Sequence, residues 1–172
     1  MGKCPGHHSI EGEGRPSNLA EEIGKKGGFD SPAQEAFLNL ARTYSVLSRE
    51  WAVFFREYGL TEQQYNVLRI VQGAGRTGIH CEPIVRGMMT IDPDVTRLVD
   101  RLVKQGLVQR QRCERDRRVV LVTLTDEGKA LLKKLRRPVL ALHEKQLGHL
   151  GDRKLATISA LLFEARHADY KD

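Results

Sequence analysis

Basic side chains are concentrated in one short segment of this sequence, between Asp94 and Arg118. The segment holds eight Lys or Arg against four Asp or Glu, so it carries a net charge of +4, most of the chain's net +6. A dense basic cluster is the electrostatic footprint of a surface that binds phosphates; the plainer alternative is a solvated charged face. The basic residues are Arg97, Arg101, Lys104, Arg110, Arg112, Arg115, Arg117 and Arg118.

The first half of this segment is predicted to be a short helix. Asp92 is a suitable N-cap, and Pro93 fits the first helical position, where its missing N–H costs no hydrogen bond. Gly106 suits the position just after the helix, where a left-handed backbone is common. Apolar residues recur at helical spacing and predict one buried face: Val95, Leu98, Val99, Leu102 and Val103. The opposite face is polar and charged, and is free to meet a ligand.

A hairpin is predicted to follow this helix. Two strand-like runs come after Gly106, the second over residues 119–124, and a basic tip over residues 113–118 joins them. A helix followed by a hairpin with a basic tip is the pattern of a winged helix-turn-helix. In that fold the helix enters the DNA major groove and the tip reaches beside it.

Three motifs of this sequence resemble those of the MarR-type transcription regulators. They are Asp116-x-Arg118 followed after five residues by Leu124-Thr125-x-x-Gly128, similar to the wing signature; DVTRLVDRL over 94–102 with Gly106-Leu107-Val108, similar to the recognition helix; and Leu60-Thr61-x-x-Gln64-Tyr65, similar to the start of the preceding helix. The resemblance covers roughly residues 31–168. It implies an obligate homodimer with a winged helix in each subunit, and it does not imply a particular effector.

Eight residues are predicted to contact double-stranded DNA: Asp94, Thr96, Arg97, Arg101, Arg115, Asp116, Arg117 and Arg118. On the helix, Thr96 and Arg97 would meet base edges or nearby phosphates, since arginine can bond guanine in two places. Asp94 either reads a cytosine amino group or stabilises the helix N-terminus. Arg101 and Lys104 lie further along, and either touch the DNA backbone or pair with Asp100.

The resemblance, rather than the spacing, implies the roles of the wing residues. Arg118 would enter the minor groove, and Asp116 would hold it in place by an ion pair. Arg115 and Arg117 would grip the phosphates beside it.

The remaining sequence predicts a mostly α fold with a small β-wing, in which the winged helix-turn-helix is embedded in a helical dimerisation layer. Residues 1–30 are rich in glycine and polar residues and are predicted to be a disordered tail. Residues 31–172 are predicted to form a single domain, with the winged helix over about 60–125. Helices over about 31–58 and 126–169 resemble the family's dimerisation layer, and Tyr44 and Trp51 are candidates for ligand contact.

Local signals add further predictions. Residues 80–88 form the first helix of the helix-turn-helix, with Pro83 in its first turn and with four residues facing inward: Ile84, Val85, Met88 and Met89. Gly78-Ile79 is predicted to be a short strand that pairs with the wing. Thr61 with Gln64 is a capping box, and Thr125 and Asp152 are predicted to cap the last two helices.

Several functional classes are not expected. The sequence has no glycine-rich phosphate loop, no Gly-x-Ser-x-Gly and no His-Glu-x-x-His, so no catalytic residue, cofactor or metal ligand is assigned and no enzyme is expected. No apolar run is long enough to span a membrane, and no secretory signal is visible. Three cysteines are too few for a disulfide framework, which indicates the cytoplasm. A pI near 9.4 favours an acidic partner.

Two alternatives stay open beside a DNA-binding repressor that releases DNA on binding a small-molecule effector. One is a protein-interaction module that keeps the fold but does not bind DNA specifically. The other is a metal- or thiol-responsive regulator, for which the sequence offers Cys4-x-x-His7-His8, the thiol of Cys81 and histidines in the C-terminal helices.

Overall fold

The computed structural model describes residues 16–91, 93–112 and 120–167, and most of them are helical. The helices are α1 (Leu19–Glu22), α2 (Pro32–Arg56), α3 (Glu62–Gly73), α4 (Cys81–Gly87), α5 (Val95–Lys104), α6 (Asp126–Leu147) and α7 (Gly151–Arg166), and the strands are β1 (Val108–Arg112) and β2 (Val120–Leu124). Short 3-10 turns lie at Gly75–Thr77 and Gly148–Leu150. The prediction of a mostly α fold with a small β-wing is confirmed.

The chain divides between Glu50 and Trp51 into two compact units. In the first unit, the side chain of Asn18 caps α1. Arg42 of α2 forms an ion pair with Glu22 at 2.8 Å, which ties the first two helices together. The predicted disordered tail over 1–30 and single domain over 31–172 stay predictions.

The second unit contains the hydrophobic core, and α3 lies at its centre. Thr61 and Gln64 form the predicted capping box: the Gln64 N–H donates to Thr61 Oγ1 at 3.2 Å, and the Thr61 N–H donates to Gln64 Oε1 at 2.8 Å. The core is built from apolar residues on every element of the winged helix and on α6. Its fully buried members include Val67, Leu68, Val71, Ile84, Val99, Leu102, Val122 and Leu135.

Strands β1 and β2 pair antiparallel, with Val108 opposite Leu124 and Arg112 opposite Val120. Ile79 adds an isolated bridge to this hairpin. Its N–H donates to the Val122 carbonyl at 3.0 Å, and the Val122 N–H donates back at 2.9 Å. The prediction that Gly78-Ile79 pairs with the wing is confirmed, so the segment before α4 is fixed to the sheet.

Helix α4 departs from its prediction in part. Pro83 lies in its first turn and Ile84 is buried, as predicted. The inward placement of Val85 and Met89 is wrong, because both side chains are exposed. The helix ends at Gly87, so Met89 is not part of it, and Val85 lies about 100° around the helix axis from Ile84.

The predicted cap of the last helix is also wrong. Helix α7 begins at Gly151, one residue before Asp152, and has no side-chain cap. The 3-10 turn Gly148–Leu150 leads directly into α7, so no extended residue precedes the helix to place a capping carboxylate. Asp152 lies in the first turn instead. None of the helices in the described ranges has the length and apolar character needed to cross a membrane.

Candidate nucleic-acid interface

The helix predicted to enter DNA, α5, begins later than its sequence suggested. The Arg97 N–H donates to Asp94 Oδ1 at 3.0 Å, so Asp94 is the N-cap and Pro93 precedes the helix. The prediction of an Asp92 cap with Pro93 as the first helical residue is therefore wrong; Asp92 itself lies outside the described residues. The Asp94 carboxylate satisfies a free N–H of the first turn, the second of the two roles that its position allowed.

One face of α5 is buried in the core. Val95, Leu98, Val99 and Leu102 are buried as predicted, whereas Val103 is 38% exposed. At 100° per residue, Val103 lies about 80° from Val95 around the helix, at the edge of the buried face. The core therefore fixes which side of the helix faces outward.

The outward face carries Thr96, Arg97 and Arg101, and all three residues are exposed. Within the described part of the chain, Arg97 and Arg101 form no ion pair. Their guanidinium groups are thus available to an external anion, Arg97 in the first turn of the helix and Arg101 in its last turn. This face is the strongest candidate for the contact with nucleic acid.

The C-terminal end of α5 is closed by a Schellman motif. The Gly106 N–H donates to the Val103 carbonyl at 2.9 Å, and the Leu107 N–H donates to the Leu102 carbonyl at 3.0 Å. Gly106 has φ = +71°, a conformation that glycine adopts without strain. The predicted stop at Gly106 is confirmed, and it turns the chain directly into β1.

An ion pair that the sequence did not indicate joins α5 to the wing. Arg110 Nη1 of β1 contacts Asp100 Oδ1 on α5, and both side chains are partly exposed. The sequence suggested Arg101 or Lys104 as the partner of Asp100, since these lie close along the helix. Only the packing of β1 beside α5 brings Arg110 to this carboxylate, so no local spacing could have revealed the pair.

Thr125 ties three elements together at the base of the wing. Its hydroxyl donates to the Gly106 carbonyl at 2.7 Å and accepts from the Gly128 N–H at 3.0 Å. The Thr125 N–H donates to the Leu107 carbonyl at 3.2 Å. Thr125 is therefore the N-cap of α6, as predicted, and it also fixes the end of α5 to the end of β2.

Gly128 is required by a close approach at the same place. A Cβ on this residue would lie 2.1 Å from the Leu107 carbonyl oxygen. The glycine thus lets the first turn of α6 pack directly on the connection between α5 and β1. Next to it, Lys129 donates to Asp126 at 2.8 Å, and this hydrogen bond lowers the pKa of the exposed Asp126 carboxyl below its ordinary value.

The tip of the wing, residues 113–119, lies outside the described residues. Four of the eight predicted DNA contacts are in this segment: Arg115, Asp116, Arg117 and Arg118. Their roles stay predictions. The structure brings together Asp94, Thr96, Arg97 and Arg101 at α5, and it places strand β1 beside that helix, with β2 paired to β1.

A cluster of aromatic residues joins the C-terminal end of α2 to α6 in the second unit. Trp51 Nε1 donates to Gln146 Oε1 at 2.9 Å, and the Trp51 ring lies 4.5 Å from the ring of His143. Phe55 stacks on Tyr65 at 4.7 Å and continues the cluster toward α3. Trp51 itself is half-buried.

A metal- or thiol-responsive regulator would require metal ligands or a free thiol. In the described ranges, His, Cys, Asp and Glu side chains form no group of three that could hold a metal ion. Cys81 is a free, half-buried thiol. Cys4, His7 and His8 lie outside the described residues.

The buried α3–α5 core, the exposed basic face of α5 and the hairpin beside it define a winged helix-turn-helix protein of the DNA-binding class. Comparison with known proteins gives the family. The model of the MarR family matches residues 60–120. A crystal structure of a MarR transcription factor from Planctomyces limnophilus is 43% identical with a TM-score of 0.61, and the match covers 78% of this chain and 98% of that one. This chain belongs to the MarR family and is a transcriptional regulator, not an enzyme.

Three further relatives match this chain at identities of 24% to 31%. The transcriptional regulator PecS of Dickeya dadantii is 31% identical over 97 residues, which span 56% of this chain and 58% of PecS. The transcriptional repressor YetL of Bacillus subtilis is 24% identical over 67% of this chain and 70% of YetL. BpsR of Bordetella bronchiseptica shares the fold at 24% identity, with a TM-score of 0.72 over 83% of this chain and 100% of BpsR. The BpsR structure concerns the regulation of its DNA binding by 6-hydroxynicotinic acid.

Proposed function

We propose that this protein is a homodimeric repressor that binds a specific double-stranded DNA operator and is released from it by a small-molecule effector. The observation that carries this proposal is the outward face of α5. Arg97 and Arg101 are exposed without an ion pair in the described part of the chain, on a helix whose other face is locked into the core. Unpaired arginines on a rigid helix are suited to phosphates and guanine edges.

The dimer is supported by apolar side chains that the single chain leaves in solvent. On α2 these are Phe37, Leu40, Tyr44 and Val46, and on α7 they are Ile158, Leu161 and Phe163. Exposed apolar residues that recur along a helix mark an interaction surface. In a two-fold dimer, two copies of α5 would enter successive major grooves about 34 Å apart, so we expect a palindromic operator.

The wing is proposed to contribute the minor-groove contact. Arg118 would enter the groove with Asp116 as its ion-pair partner, and Arg115 and Arg117 would contact phosphates. Arg118→Ala is then expected to weaken operator binding by roughly 1–3 kcal/mol, the range for a charge-assisted hydrogen bond. Arg153→Ala, an exposed arginine on α7, is the matched control and is expected to leave the affinity unchanged. Equal affinities for the two variants in a gel-shift titration would rule out this role for Arg118.

The repressor assignment and the effector are supported by relatives. YetL is named a transcriptional repressor, and the BpsR structure is described as explaining regulation of its DNA binding by 6-hydroxynicotinic acid. In this chain the half-buried ring of Trp51, held by Gln146 and His143, offers an aromatic contact to a ligand. Trp51 is the single tryptophan of the sequence, so its fluorescence reports on this cluster alone.

Fluorescence anisotropy tests the proposal directly. The protein is titrated into a labelled random duplex and into the DNA upstream of its own gene, at several salt concentrations. Tight binding to the upstream DNA alone, weakening steeply with salt, is the expected result, because each neutralised phosphate releases counterions. Equal and weak binding to both duplexes would refute a specific operator and favour the protein-interaction module.

Metal analysis and mild oxidation test the alternative of a metal- or thiol-responsive regulator. Metal that co-purifies with the protein, or a loss of operator binding on mild oxidation that Cys81→Ser prevents, would identify a metal- or thiol-responsive regulator. We expect no co-purifying metal, since the described residues gather no group of three metal ligands.

A further inference from the structure

Two large apolar side chains project from the turn between α4 and α5. Met89 is 85% exposed and Ile91 is 92% exposed, the two highest values among the exposed large hydrophobic residues of the described chain. Next in order is Phe37 at 69%. Water is an unfavourable environment for such side chains, so their near-complete exposure at one place needs an explanation.

The elements on either side of Met89 and Ile91 are fixed to the core. On one side, a Cβ on Gly87 would lie 3.1 Å from Ile70 Cδ1, so α4 is packed closely against α3 at its end. Met88 is half-buried against the core. On the other side, Val95 is buried and α5 is capped by Asp94. Met89 and Ile91 are thus exposed between two elements that are anchored in the core.

The position of this turn indicates what covers it. It leads into the N-terminal end of α5, the end that a recognition helix directs at base edges. Exposed arginines flank it on both sides: Arg86 at the end of α4, which also lies 3.7 Å from the exposed Glu82 carboxylate, and Arg97 in the first turn of α5. Arginines on either side of an apolar pair match a partner that presents phosphates around a smaller apolar surface.

The major groove of DNA presents one such apolar group, the C5-methyl of thymine. We propose that Met89 and Ile91 contact thymine methyl groups of the operator and so select A·T pairs beside the bases that α5 reads. This inference rests on the proposed function, and it adds a specificity determinant outside the recognition helix. If a second protein copy or a ligand covered this turn instead, removing the methyl groups of the operator's thymines would not change the affinity for DNA.

The test removes single methyl groups from the DNA. The wild-type chain first selects duplexes from a random pool, and each thymine of the selected site is then replaced by deoxyuridine, which lacks only the methyl. At one or two thymines in each half-site, we expect the affinity of the wild type to fall about fourfold, the equivalent of one buried carbon group.

Variants then assign the effect to the turn. Met89→Gln and Ile91→Thr change exposed side chains and leave the core intact. We expect each to bind the thymine site more weakly than the wild type and to be indifferent to deoxyuridine at the thymine that its residue contacts. Val53→Thr, at an exposed apolar position on α2, is expected to keep both the affinity and the sensitivity.

The outcomes separate the two proposals. The contact with thymine methyl groups would be refuted if no deoxyuridine substitution lowered the affinity of the wild type. It would also be refuted if both turn variants lost as much affinity on these substitutions as the wild type does. In either case the protein would still bind DNA specifically. Failure of the wild type to select any sequence would refute the proposed function, and this inference with it.

Discussion

The glycine at position 128 provides a sharp test of how the wing is attached. In Gly128→Ala the added Cβ would meet the Leu107 carbonyl oxygen at 2.1 Å and its carbonyl carbon at 3.1 Å, against ordinary contacts of about 3.5 Å. The first turn of α6 must then move away from Leu107. That movement also stretches the hydrogen bond from the Thr125 N–H to the same carbonyl, which is 3.2 Å long.

The magnitude follows from three contributions. Overpacking of a close contact costs about 1–3 kcal/mol, and a weakened hydrogen bond costs about 1 kcal/mol. Alanine in place of glycine within a helix returns about 1 kcal/mol. We therefore expect Gly128→Ala to lower the free energy of unfolding by about 1–3 kcal/mol.

Urea unfolding at one fixed protein concentration, followed by far-UV circular dichroism, measures this change. Gly73→Ala is the matched control, because Gly73 ends α3 and an added Cβ there meets nothing within 4 Å. We expect the control to gain up to about 1 kcal/mol from helix propensity alone. If Gly128→Ala were as stable as Gly73→Ala, the close approach to Leu107 would not be the reason for this glycine.

Three further predictions concern the site. Thr125→Val should lower the free energy of unfolding by about 1.5–3 kcal/mol in urea titrations, because it removes both the α6 cap and the bond to the Gly106 carbonyl; Thr125→Ser, which keeps a hydroxyl, should lose less than half of that. Asp94→Ala should cost about 1 kcal/mol of stability while Asp94→Asn costs little, since both Asp and Asn cap helices; equal losses would contradict the capping role, and a change of operator affinity in the stable Asn variant would show that the charge also meets DNA. For the partly exposed Arg110–Asp100 pair, a double-mutant cycle should give a coupling of about 0.2–1 kcal/mol that shrinks as salt is raised, and a coupling independent of salt would refute an ion pair.

Short-range patterns account for much of what the sequence predicted correctly. The capping box at Thr61, the stop at Gly106 and the cap at Thr125 depend on residues within a few positions of one another. The buried face of α5 follows from helical spacing, which fixes Val95, Leu98, Val99 and Leu102 on one side. The outward direction of Arg97 and Arg101 is the direct consequence. The sequence therefore predicted the placement of the candidate residues at α5, which are four of the eight.

Where two residues fitted the same structural role equally well, only the tertiary structure showed which one takes it. Asp92 and Asp94 are both good N-caps, and the sequence could not distinguish them; the helix begins at Val95, where its buried face meets the core. Val103 and Met89 are apolar and lie near helical spacing, yet one falls at the edge of the buried face and the other beyond the end of α4.

The sequence by itself determined the elements of this protein, the basic character of its wing and the family to which it belongs, because these depend on local residue patterns. The tertiary structure alone decided that Arg110 meets Asp100, that Gly128 packs on the Leu107 carbonyl, and that Met89 and Ile91 stand in solvent beside the recognition helix. Spacing along the chain does not predict these contacts and exposures, because they arise only when helix, hairpin and turn pack around one core.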